Sequence, residues 1–207
     1  GLVSKKANIK GEEKYIGKGV SYCTICDGPL YKNKTVAVVG GGDSAVKAAV
    51  ALKEMGAKKV YLIHRRDEFR AEKLNVDKLK QHEIELIMSS VVEEIIGNSS
   101  IEKIIIKNKK TEKKHELKLD AVFIEIGYVP TTELVKNLGI ELDEDGFIKT
   151  NKNKETNIEG VFAAGDITNP QYKILVNAYY DGAVAALNAS KFISNKKGKE
   201  FKLKFHW

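Results

Sequence analysis

The chain has 207 residues, 43% of them hydrophobic and only three of them proline, which suits one large or two small ordered domains and excludes a disordered chain. Its net charge is +7, but the lysines are scattered among glutamates with no aromatic–basic stripe, which argues against nucleic acid. No run reaches the roughly 18 apolar residues of a membrane span and no signal peptide opens the chain, so no membrane segment and a cytoplasmic location are expected.

The chain opens on Gly1 rather than Met, which suggests a processed, cloned or incomplete product. Residues 1–20 are polar and punctuated by glycine, and 1–12 read as a linker. After the segment SYCTICDGPL, the apolar run 36–39 reads as a buried parallel strand, broken by Gly40-Gly41-Gly42-Asp43. A helix follows and ends at Gly56, and 59–63 form a second strand, which completes a βαβ unit. The spacing predicts a helix over 67–81 and a strand over 84–88. Alternation at 91–96, 101–106 and 115–119 predicts a small antiparallel meander, and 120–126 another buried strand. A second region starts near Gly127 and Pro130, with a short helix at 133–138, a short strand at 147–149 and a buried strand at 161–164. A long helix over 174–193 carries small residues on one face, and 194–207 form a lysine-rich tail with a peripheral strand at 201–205 or disorder.

The segment Gly40-Gly41-Gly42-Asp43-Ser44-Ala45 fits G-x-G-x-x-A between a predicted strand and a predicted helix, the context a dinucleotide site needs. Gly40 permits the tight turn, Gly42 lets the backbone approach a pyrophosphate, and Ala45 permits close helix–strand packing. The helix N-terminus offers unpaired N–H groups to phosphates. At the tip of the second strand, where NAD enzymes carry an acid, stand His64-Arg65-Arg66, with Arg70 one turn into the next helix. Such a cationic cluster would bind a 2′-phosphate, so the expected nucleotide is NADPH.

The chain has two cysteines, Cys23 and Cys26, and four widely spaced histidines. That set lacks the four ligands of a structural zinc site, so no metal is expected. The C-x-x-C pair reads as a redox dithiol, with Asp27 adjacent as a proton carrier or as a helix-capping residue.

Cys-Thr-Ile-Cys-Asp-Gly resembles the C-A-T-C-D-G site of low-molecular-weight thioredoxin reductases. GKGVSYC, VAVVGGGDSA, IHRRDEFRAEK, FIEIGYVPTTEL and GVFAAGDI resemble the same family in the same order, over roughly residues 1–193. The resemblance implies that Cys23 and Cys26 pass electrons from reduced FAD to a thioredoxin-like disulfide protein. It puts Cys26 nearer the flavin and Cys23 as the interchange thiol, and leaves open which sulfur attacks the substrate. It implies FAD contacts at Gly165-Asp166 and at Lys173-Ile174-Leu175, a cofactor contact at Gly127, and a homodimer in the full enzyme. Two positions depart from the family: Ile174 stands where a Gln is usual, and Tyr179-Tyr180 replace an Ala-Gly pair. The family's first G-x-G-x-x-G unit is also absent, and Gly1 aligns roughly where that FAD half ends.

The expected architecture is therefore α/β. A Rossmann-like doubly wound NADPH domain with its meander occupies 13–127, and the C-terminal half of a second Rossmann-like FAD domain occupies 128–193. The expected activity is NADPH-dependent disulfide reduction. One alternative is the reductase component of an alkyl hydroperoxide reductase, which Arg65-Arg66 argue against because those enzymes prefer NADH. Another, for this chain alone, is a non-catalytic NADPH-binding module. A flavin absorbance spectrum separates the classes.

Overall fold

In the computed structural model, which describes residues 1–201, the elements run in chain order. They are β1 (Leu2–Ser4), β2 (Val20–Ser21), α1 (Thr24–Asp27), β3 (Thr35–Gly40), α2 (Asp43–Glu54), β4 (Lys59–Ile63), α3 (Lys73–Gln81) and β5 (Glu85–Ile87). Then follow β6 (Ser90–Gly97), β7 (Ile101–Asn108), β8 (Lys114–Lys118), β9 (Ala121–Glu125), β10 (Tyr128–Pro130) and α4 (Leu175–Lys196). They divide between a unit of residues 4–127 and a unit made of residues 1–3 and the chain from Tyr128 onward.

The first unit is the expected α/β fold. Its parallel sheet has the order β2-β9-β3-β4-β5. Alternation along the strands sends side chains to two separate cores. Val36 and Val38 of β3 and Phe123 of β9 join Leu52 of α2 and Leu79 of α3 on one face. Ala37, Val122 and Ile124 join Ile95, Ile104 and Ile106 of the antiparallel sheet β6-β7-β8 on the other. Both faces are covered, so the central strands are continuously apolar, and each fully buried aliphatic side chain contributes about 1.5–3 kcal/mol. In α2 the buried Ala45, Val46, Ala49 and Leu52 follow helical spacing. The helix stops at Gly56, whose φ of 94° suits the left-handed position after a helix, and the Ala57 N–H closes back on the Leu52 carbonyl.

Residues 4–12 are not a linker. Glu12 is 2% exposed, and its carboxylate accepts the backbone N–H groups of Ala7 and Ile9. This stretch bonds to the first unit through Lys10, whose N–H and carbonyl engage Glu93 and Ile95. The helix predicted over 67–81 begins only at Lys73. The N–H groups of Arg70 and Glu72 are taken by the Gly41 carbonyl and the Asp43 carboxylate, so residues 64–72 form a loop and Arg70 lies outside the helix.

In the second unit, β1 pairs with β10, and a small core gathers Ile140, Ile148 and Ala163. The predicted helix at 133–138 is a 3-10 helix, Glu133–Leu138. The strand predicted over 161–164 does not form. Phe162 makes one antiparallel bridge to Glu155, and the Ala163 N–H bonds to Lys154, a tight return of the chain rather than a ladder. The short strand expected at 147–149 is likewise a single bridge, Leu142 to Ile148. Helix α4 runs three residues past the expected end, so the tail begins later than 194. The strand expected at 201–205 lies, beyond Phe201, outside the described residues. No helix among the described residues is long and apolar enough to cross a membrane.

Candidate functional site

Strand β3 ends at Gly40 beside Glu125 at the end of β9. β4 lies on the opposite side of β3, so the crevice outside Gly40 is where the strand order reverses, the position at which open α/β sheets bind ligands. An open cleft of about 560 Å³ lies there, lined by Gly40, Gly41, Gly42, Asp43, Ser44, His64, Arg65, Arg66, Arg70 and Gly127. The structure thus gathers nine sequence-predicted residues around one space, together with Gly41; Ala45 packs just behind it.

The glycines of the turn have different reasons. A Cβ on Gly40 would overlap the Glu125 carbonyl oxygen and sit 2.6 Å from the Ala45 Cβ, so strand and helix meet there through bare backbone. A Cβ on Gly41 would overlap the His64 ring. Gly42 has open space on its Cβ side and forms the N-cap of α2 without a side-chain cap, which leaves helix N–H groups for a ligand. Gly40→Ala is therefore expected to destabilise the chain by about 3 kcal/mol, the upper range of overpacking costs. Gly42→Ala should leave urea unfolding almost unchanged while weakening dinucleotide binding. Equal stability losses for the two would contradict this division.

The arginine loop is tied to this turn. The Arg70 N–H donates to the Gly41 carbonyl at 2.8 Å. Asp43 accepts from the Asn75 side-chain amide at 2.7 Å and the Glu72 N–H at 3.0 Å, bonds that hold its carboxyl below the usual carboxylate range. Asp43 thus joins the starts of α2 and α3. Arg65, Arg66 and Arg70 are exposed on the cleft. His64 is 6% exposed and stacks on Phe69 with ring centroids 5.5 Å apart. Burial, and the neighbouring Arg66 and Arg65 charges, push its pKa down, which favours a neutral wall of the cleft over a cationic phosphate ligand.

Cys23 and Cys26 are joined as a disulfide in the same unit. Cys23 caps α1, and the Cys26 N–H points at its Sγ from 3.2 Å, a donor that would stabilise a Cys23 thiolate. Cys26 is exposed and Cys23 half-buried. The Asp27 carboxylate accepts from the Ser21 hydroxyl at 2.6 Å, and the same oxygen of Ser21 accepts the Cys23 N–H at 3.1 Å. Ser21 went unremarked in the sequence, although it stands within the GKGVSYC segment. Glu125 and Thr24 were also missed, and Thr24 donates to Glu125 at 2.9 Å across 101 positions of sequence. The one visible signal for Glu125 was an acid inside an otherwise apolar strand.

The remaining predicted residues lie in the second unit. The Gly165 N–H donates to Asp181 Oδ2 of α4 at 3.1 Å, and Lys154 pairs with the same carboxylate at 2.6 Å. Gly165 packs against Ala178, so Gly165-Asp166 lies along the first turns of α4. Lys173 bonds to Asn169, and Ile174 and Leu175 are exposed at the start of that helix.

The family model for pyridine nucleotide-disulphide oxidoreductases matches residues 1–182. A protein described as "34.2 kDa protein in rubredoxin operon" from Clostridium pasteurianum is 45% identical over 197 residues, covering 95% of this chain and 63% of that protein. Thioredoxin reductase from Helicobacter pylori is 44% identical over 197 residues, covering 92% of this chain and 63% of its own length. The crystal structure of Lactococcus lactis thioredoxin reductase in its FR conformation superposes with a TM-score of 0.82 at 40% identity, over 94% of this chain and 64% of that one. The chain thus spans a little under two thirds of the length of the relatives it matches. By its motifs, its fold and these matches, the chain belongs to the pyridine nucleotide-disulphide oxidoreductase family.

Proposed function

We propose that this chain carries the NADPH-binding and disulfide-bearing part of a flavoprotein disulfide reductase that acts on a thioredoxin-like protein. The observation that carries the reading is the cleft. A bare Gly42 backbone at a helix N-terminus faces a loop of three arginines, in the same unit as the Cys23–Cys26 disulfide. The residues fit the nucleotide. The turn 40–44 would hold the pyrophosphate, and Arg65, Arg66 and Arg70 the 2′-phosphate. Asp166, with Ile174 and Leu175, would touch a flavin, while the Gly165 N–H is already used by Asp181. When bound, NADPH and FAD supply the electron pair.

The protein's own step is thiol–disulfide exchange. The Cys23–Cys26 disulfide takes up two electrons and two protons and becomes a dithiol. One thiolate then attacks the partner's disulfide, and the other cysteine resolves the mixed disulfide, releasing the partner as a dithiol. Asp27, oriented by Ser21, moves a proton at the cysteine sulfurs.

The 207-residue chain alone is expected to bind NADPH, to hold little FAD and to show no reductase turnover. The reason is that the one Gly-rich strand–turn–helix among the described residues, at 40–45, would be taken by NADPH through the neighbouring arginines. Absorbance at flavin wavelengths and NADPH fluorescence titration test this together. A purified chain carrying stoichiometric flavin with no second polypeptide would overturn that division, and absence of NADPH binding would overturn the cleft assignment.

A further inference from the structure

Glu125 is an acid in a cleft otherwise suited to anions. It ends β9 directly beside Gly40, is half-buried and lines the same space as the Gly-rich turn. Its hydrogen-bond donor is the Thr24 hydroxyl at 2.9 Å, and among the described residues no cation pairs with it. Thr24 is 5% exposed and lies between the two cysteines, so the contact ties the cleft wall to the disulfide helix. We propose that Glu125 makes dinucleotide binding in this cleft proton-linked, its carboxyl taking up a proton as the polyanionic ligand enters, with Thr24 as the residue that positions it. This rests on the reading of the cleft as a pyridine-dinucleotide site.

The direction follows from charge. A bound pyrophosphate raises the cost of a nearby carboxylate and leaves the neutral acid unaffected. Burial already pushes the Glu125 carboxyl above its ordinary value, and the Thr24 hydroxyl partly opposes that by stabilising the charged form. Affinity should therefore be full while Glu125 is protonated in the free protein, and fall as pH rises through its titration. The other charged groups on the cleft are Lys5, Lys6, the three arginines and Asp43, whose carboxyl Asn75 and Glu72 hold below the usual carboxylate range. Burial holds the His64 imidazole below its ordinary value, and the 2′-phosphate of the ligand is a further titrating group, with a pKa of about 6.

Isothermal titration of the chain with NADP⁺ and with NAD⁺, from pH 5 to 8 in buffers of different ionisation enthalpy, isolates the Glu125 contribution as the difference between wild type and Glu125→Gln. The wild type should take up a fraction of a proton with either nucleotide. Glu125→Gln should lose that uptake and bind about three- to tenfold more tightly at pH 8, the size of one removed repulsion at a partly solvated site. Thr24→Val should keep the uptake and move its midpoint to higher pH, which also decides the matter if Glu125→Gln does not fold. Identical proton uptake in wild type and Glu125→Gln, or no midpoint shift in Thr24→Val, overturns the inference while leaving the cleft assignment intact. An uptake seen with NADP⁺ alone belongs to the 2′-phosphate and overturns it equally. Failure of every protein to bind either nucleotide overturns the cleft assignment itself.

Discussion

Replacing Arg65 by Glu and Arg66 by Ala is expected to weaken NADPH binding more than tenfold while leaving NADH binding almost unchanged. Each lost charge-assisted hydrogen bond to the 2′-phosphate is worth about 1.5–3 kcal/mol, and the introduced carboxylate repels the phosphate as well. The substitutions should not disturb the fold. Both side chains are exposed, and the loop is held by backbone groups that any residue retains: the His64 N–H on the Ile87 carbonyl, the Ser89 N–H on the Arg66 carbonyl and the Arg70 N–H on the Gly41 carbonyl. Fluorescence titration with both nucleotides reads the result as a ratio. Equal losses for NADPH and NADH would mean that the arginines steer anions in general and do not recognise the 2′-phosphate.

Loss of either cysteine should bring disulfide exchange down to background. Thiol titration of the chain before and after mild reduction should show two sulfurs appearing together, since Cys23 and Cys26 form one disulfide. With Cys26→Ser, no second sulfur remains to close the pair or to resolve a mixed disulfide, and Cys23→Ser fails for the same reason. In a full-length enzyme, Cys26→Ser should abolish reduction of a protein disulfide while hydride transfer from NADPH to flavin continues. A variant that still reduced protein disulfides at the normal rate would make the pair structural. The four-residue helix α1, which follows Cys23 and contains Cys26, places no side chain in either apolar core of the first unit, so the variants are expected to fold.

The features legible in the sequence are those that depend on local pattern. A Gly-rich turn between an apolar run and an amphipathic helix is decided by neighbours within a few residues, and so is a C-x-x-C pair. The tip of the second strand was also legible, because βαβ connectivity places it beside that turn. The antiparallel meander was readable for the same reason, from period-two alternation at 91–96, 101–106 and 115–119.

What the sequence left undecided depends on partners far along the chain. The start of α3 at Lys73 is set by two N–H groups bonding to Gly41 and Asp43, some thirty positions away, and no propensity within 67–72 reports that. The polar stretch 4–12 looks like a linker by composition, yet the buried Glu12 carboxylate organises it, and burial of an acid is visible only once its donors are placed. The run 161–164 has the composition of a buried strand, but a strand exists only where a neighbouring backbone supplies a ladder, and here one bridge is supplied. Local pattern thus determined the glycine turn, the arginines at the strand tip and the cysteine pair. Long-range hydrogen bonds, which cannot be counted until the chain is packed, decided how the arginine loop closes on the glycine turn and why Glu125 stands against the disulfide helix.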